Sequence, residues 1–205
     1  MHKIKNIAIF GGADIPEESD LYKEVFAVAK LLGEKGYTIV DGGGPGVMLA
    51  ATQGAVAGGG KTLAVTFDPK NAPGFEGRYV KNQTDQEIKT TNYIDRMYTL
   101  MENSDCYVIF KGGTGTISEF GTAWCLARLY YGHHKPFILY GNFWHEIIDV
   151  FYKHLQMRNN ERDVFKIVGT PEEVIAAIDS FEFEAEQNAK AHFHQDLGEE
   201  KAFML

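Results

Sequence analysis

Cysteine is scarce in this chain. Only Cys106 and Cys125 occur in 205 residues, with no CxxC spacing, which excludes a disulfide-built scaffold. Both lie in apolar segments and are expected to be reduced core residues. No apolar run approaches the roughly 20 residues that a membrane-spanning helix needs. No block of basic residues stands out either. Asp and Glu number 28 against 20 Lys and Arg, for a net charge of −8, which argues against non-specific binding to nucleic acid or to an anionic membrane. The opening residues Met1-His2-Lys3-Ile4-Lys5-Asn6 lack the apolar core of a secretory signal, so a cytoplasmic location is expected. Internal repeats and a domain-separating linker are also missing. One domain is expected over residues 1–180, with an acidic C-terminal tail over 181–205.

Hydrophobic residues make up 44% of the chain, enough for one well-buried core. Short strand-type runs are read at residues 4–10, 37–40, 62–67, 105–110, 135–140 and 165–168. Helical spacing is read between them, including a helix over 87–101 with Ile88, Ile94, Met97, Tyr98 and Met101 as core contacts. Residues 47–57 are dense in alanine and glycine and suit a helix packed tightly on a sheet. Residues 68–85 read as an irregular loop able to lie over a site. Strands alternating with helices imply an α/β fold: a doubly wound, mostly parallel, Rossmann-like sheet with helices on both faces.

Three of these strands end in glycine: Gly11-Gly12, Gly42-Gly43-Gly44-Pro45-Gly46, and Gly112-Gly113-Thr114-Gly115. In a parallel sheet such turns share one edge, the edge where ligands bind. The third turn opens a helix, so its free amides and the positive end of the helix dipole favour an anion such as phosphate. Together the three point to an anion or nucleotide site. None is the GxGxxG fingerprint, which requires glycine where Val47 or Ser118 stands; this weakens a reading as an NAD-dependent oxidoreductase. Asp41 is read either as a ribose-binding acid or as an ordinary turn residue. Ala55-Val56-Ala57-Gly58-Gly59-Gly60-Lys61-Thr62 comes close to a P-loop, but it runs from helix into strand, the wrong direction for cradling phosphate.

Thr116-Ile117-Ser118-Glu119 fits a capping box, and a carboxylate at a helix N-terminus is held ionised. Glu119 is therefore expected as an anionic stabiliser or base rather than a general acid. Arg96 stands on an otherwise apolar helix face and needs an acidic partner or a ligand. The pairs His133-His134 and His192-x-His194 read as surface or tail residues, and no metal or cofactor is expected.

The segment from Gly112 to Glu119 resembles the PGGxGTxxE signature of the Lonely Guy family of nucleoside 5'-monophosphate phosphoribohydrolases. Gly42 to Met48 resembles that family's second glycine motif, and Tyr93-Ile94-Asp95-Arg96 lies where the family carries Met-His-x-Arg. The resemblance covers roughly residues 4–155. It implies hydrolysis of the N-glycosidic bond of a nucleotide to free base and ribose 5-phosphate, by a homodimer. It also implies roles: Arg96 and Glu119 catalytic; Gly112, Gly113, Thr114, Gly115 and Thr116 on the phosphate; Gly11, Gly12, Gly43, Gly44 and Met48 in the nucleotide pocket. Lys111 replaces the signature's proline, Met97 replaces a lysine of plant-type members, and Tyr93-Ile94 replaces Met-His, so the base accepted is left open. A competing expectation is a non-catalytic carrier of a nucleotide or of the molybdenum cofactor, which similar glycine turns would also serve.

Overall fold

The computed structural model describes residues 4–69, 78–158 and 160–195. Among them, seven strands form one all-parallel sheet: β1 (Asn6–Phe10), β2 (Thr38–Asp41), β3 (Lys61–Phe67), β4 (Gln86–Thr90), β5 (Cys106–Ile109), β6 (Phe137–Tyr140) and β7 (Phe165–Val168), in the order β4-β3-β2-β1-β5-β6-β7. The strand order reverses direction at the β1–β5 pair. A parallel doubly wound sheet opens its ligand crevice at such a switch point.

Side chains alternate across the sheet, as the two-residue period of a strand requires. Ile7 and Ile9 of β1 face one core, together with α1 (Asp20–Glu34), α2 (Val47–Ala57) and α6 (Pro171–Gln195). Ala8 and Phe10 face the other, with α3 (Tyr93–Glu102), α4 (Thr114–Leu129) and α5 (Phe143–His154). Ala50, Ala51, Gly54 and Ala55 of α2 are buried, and the helix lies on the sheet as expected, but its closest packing is along α1, where a Cβ on Gly54 would lie 2.3 Å from the Phe26 carbonyl oxygen. Local signals set the helix starts. Ser19 caps α1 by accepting from the Tyr22 amide at 3.3 Å, and Asn92 caps α3 through Asp95 at 2.9 Å.

Several expectations need correction. The helix read over 87–101 is two elements, edge strand β4 followed by α3, so Ile88 is a strand residue. Ile94 and Tyr98 are exposed rather than core. Cys106 is buried, but Cys125 is exposed on α4. Leu129, Tyr130 and Tyr131, at and beyond the end of α4, are exposed too. The near-P-loop segment joins α2 to β3, helix into strand. The loop read over 68–85 falls partly outside the described residues, and its described portion before β4 has no helix or strand. From residue 181 onward, α6 continues to Gln195.

Candidate functional site

A cavity of about 640 Å³ opens at the carboxyl ends of β1 and β5. Gly11 to Ile15 form one wall, Lys111 to Thr116 the other, and Arg96 and Glu119 also line it. Backbone hydrogen bonds zip the two loops together. The Phe110 amide donates to the Phe10 carbonyl at 2.8 Å, and the Gly12 amide donates to the Lys111 carbonyl at 3.1 Å. This approach demands glycine: a Cβ on Gly112 would lie 2.7 Å from the Gly12 nitrogen and 2.1 Å from the Thr116 hydroxyl. The Val47 amide at the start of α2 also donates to the Gly12 carbonyl, at 2.9 Å, drawing the second glycine motif onto the first.

Helix α4 begins at Thr114, with Gly113 as its cap and no side-chain cap bond. The first amides of a helix have no partner within it; here they belong to Thr114, Gly115 and Thr116. Residues 112–115 are exposed, while Thr116 is buried. This start also corrects the capping-box reading. Glu119 sits in the second turn of α4, too far along to cap it.

Glu119 is 8% exposed. Burial raises its pKa from 4.5 to about 7, and the nearby Arg96 guanidinium opposes that shift. Desolvation disfavours a charged carboxylate and here outweighs the arginine. Burial thus works against the ionised form expected of a carboxylate near a helix start: near neutral pH Glu119 can hold or release a proton. Groups with such pKa values in clefts are candidates for acid–base chemistry.

Arg96 is 6% exposed. Its Nε donates to the Val65 carbonyl at 3.0 Å, and one terminal nitrogen donates to the Gly42 carbonyl at 3.2 Å and approaches Met48 Sδ at 3.6 Å. The guanidinium thus ties α3 to the end of β3 and to the turn after β2. Gly42 makes room for it, since a Cβ there would lie 1.5 Å from that nitrogen.

Of the residues read from sequence, Gly11, Gly12, Met48, Arg96, Gly112, Gly113, Thr114, Gly115, Thr116 and Glu119 line this one cavity. Gly43 and Gly44 do not. They turn toward the 78–82 segment, where Asn82 Nδ2 donates to the Gly44 carbonyl at 2.9 Å and the Tyr79 amide donates to Gly43. Gly42 takes their place at the wall. Asp41 is fully buried and binds inward, accepting from the Gly43 amide at 2.7 Å and the Thr52 hydroxyl at 2.6 Å. Burial raises its pKa to about 6, and it secures the turn rather than facing a ribose. Tyr93 also lines the cavity and was undervalued by sequence reasoning; its ring meets Phe67 edge-on at 6.4 Å. An aromatic residue just after a helix cap and three before Arg96 was the available signal. His133 is exposed and His134 half-buried, while the side chains of His192 and His194 lie outside the described residues. Among the described residues no group of His, Cys, Asp and Glu is arranged to hold a metal, and no helix is long and apolar enough to cross a membrane.

Residues 4–175 match the SLOG cluster4 family. The chain belongs to that family. The Lonely Guy kinship expected from the glycine motifs is borne out by a cytokinin riboside 5'-monophosphate phosphoribohydrolase of Mycobacterium tuberculosis. It is 30% identical over 135 residues, covering 65% of this chain and 68% of that protein. An uncharacterized protein of Archaeoglobus fulgidus is 31% identical over 121 residues, 59% of this chain and 74% of its own length. Among solved structures, the molybdenum cofactor binding protein of Rippkaea orientalis shares the fold at a TM-score of 0.64 and 23% identity, covering 88% of this chain and 99% of that one. As a member of the SLOG cluster4 family, the chain has the Rossmann-like architecture that its motifs implied.

Proposed function

We propose that the protein hydrolyses the N-glycosidic bond of a nucleoside 5'-monophosphate, releasing the free base and ribose 5-phosphate. The observation that carries this reading is Glu119, buried beside Arg96 at a cavity whose rim is a glycine turn opening α4. The amides of Gly113 to Thr116 and the Thr116 hydroxyl take the 5'-phosphate, and Glu119 lies under the ribose. As the bond from C1' to the base nitrogen breaks, positive charge develops on the sugar, as in glycoside hydrolysis. The Glu119 carboxylate stabilises that charge and orients the water that adds to C1'. Arg96 offsets the repulsion between Glu119 and the phosphate. A carrier that holds its ligand intact needs the glycine turns but not this buried acid. The proposal includes a cytoplasmic homodimer, with the exposed Ile94, Tyr98 and Ile117 at the subunit contact.

The test is incubation with a panel of nucleoside monophosphates and an assay for ribose 5-phosphate. Release from at least one of them is expected. Tight binding of an intact ligand, with no turnover across the panel, would reverse the reading in favour of a carrier.

The titration of Glu119 adds a second expectation. The ionised form acts, so kcat/KM, which reports the ligand-free enzyme, should rise with pH up to about 7 and then level off. Two pH units below that value the ionised fraction is about one hundredth, and kcat/KM should fall correspondingly. A profile flat between pH 5 and 8 would show that the Glu119 carboxylate is not the group at work.

A further inference from the structure

We infer that Lys111 is a specificity-determining residue that reads the charge of the phosphoryl group, a role that deepens the proposed function and rests on it. Lys111 stands where the resembled signature has proline. It lines the cavity immediately before the glycine turn and is exposed. Among the described residues its side chain makes no hydrogen bond or ion pair, and only its carbonyl is engaged, by Gly12. The other described cation of the cavity, Arg96, is buried and donates to the Val65 and Gly42 carbonyls.

Charge balance shows why this cation matters. The cavity is lined by two acids, Asp14 and Glu119, and by two bases, Arg96 and Lys111. Glu119 titrates near neutrality, so without Lys111 these groups sum to neutral or to one negative charge. With Lys111 the sum is neutral or one positive charge. A phosphate dianion docked on the amides of Gly113 to Thr116 sits near an ionisable carboxyl, and helix amides carry only partial charge. Lys111 supplies a full charge on a flexible stem at the open side of the same turn. Its reach selects ligands by their phosphate, leaving the base to the walls formed by Ile15 and Met48.

Calorimetry with two probes, ribose 5-phosphate and unphosphorylated adenosine, tests the assignment on the wild type, Lys111→Ala and Lys111→Arg. Losing one charge-assisted contact weakens binding by about tenfold. Lys111→Ala should therefore bind ribose 5-phosphate about ten times more weakly, with adenosine affinity unchanged, and Lys111→Arg should restore the difference. The wild-type affinity for ribose 5-phosphate should also fall more steeply with added salt than that of Lys111→Ala. Equal affinity of wild type and Lys111→Ala for ribose 5-phosphate overturns the role of Lys111 while leaving the phosphate turn standing. A wild type that binds no ribose 5-phosphate at all overturns both. Parallel loss of both probes would mean a general distortion of the cavity and would likewise overturn the role.

Discussion

Replacing Glu119 with glutamine is expected to lower ribose 5-phosphate release by about a thousandfold, the scale on which removing a preorganised charge from a water-poor site acts. Glutamine keeps the shape of the side chain and loses only its ability to ionise, so KM should change little while kcat collapses. Stability should move the other way. In the folded chain the Glu119 carboxyl has a pKa near 7, against 4.5 for the free group. Between those values the folded state binds more protons than the unfolded one, so its stability falls as pH rises. Below 4.5 both states are protonated, and above 7 the penalty is complete, at about 3 kcal/mol. Glutamine does not titrate. Glu119→Gln should thus gain on the wild type in Tm between pH 5 and pH 8, while Asp41, present in both, cancels from the difference. Loss of activity with equal Tm gaps at the two pH values would leave the carboxyl in the reaction but contradict its burial-raised pKa.

Replacing Arg96 with methionine is the second large expectation, and it has two readouts. The Val65 and Gly42 carbonyls lose a charged donor. Leaving such groups unsatisfied in the interior costs about 3 kcal/mol, visible as a lower denaturation midpoint. The same change removes the positive charge that restrains the Glu119 pKa. The acid limb of the kcat/KM profile should move to higher pH, and activity at neutral pH should drop by about a hundredfold. Arg96→Lys separates the two effects. It retains the charge and loses the planar fork, so it should restore the position of the acid limb better than the denaturation midpoint. An unshifted limb in Arg96→Met would mean that the two side chains do not communicate electrostatically.

The sheet's central strands were legible because each is a short apolar run buried on both faces, and such runs stand out in a parallel sheet. Strand β4 was not, because Gln86-Glu87-Ile88-Lys89-Thr90 sits at the edge with most of its side chains toward water; its single apolar residue fitted a helical spacing equally well. The glycine turns revealed the site, yet not which glycine of a cluster faces the cavity. Gly42 does so because Arg96 needs its space, a requirement set by a residue 54 positions further along. The start of α4 was misplaced because Gly113 caps it ahead of the better-known Thr116 pattern. The same reading missed the burial that raises the Glu119 pKa: proximity to a helix end can be read from spacing, while removal from water depends on what packs above the residue.

The hydrogen-bonded seam between Gly12 and Lys111 joins residues roughly a hundred positions apart. Closing so long a stretch of chain costs entropy before any contact repays it. The pairing of β1 with β5 is what brings the two loops side by side and fixes the width between the walls of the cavity. The cavity is thus a property of the paired strands, and no fragment ending before β5 contains both of its walls.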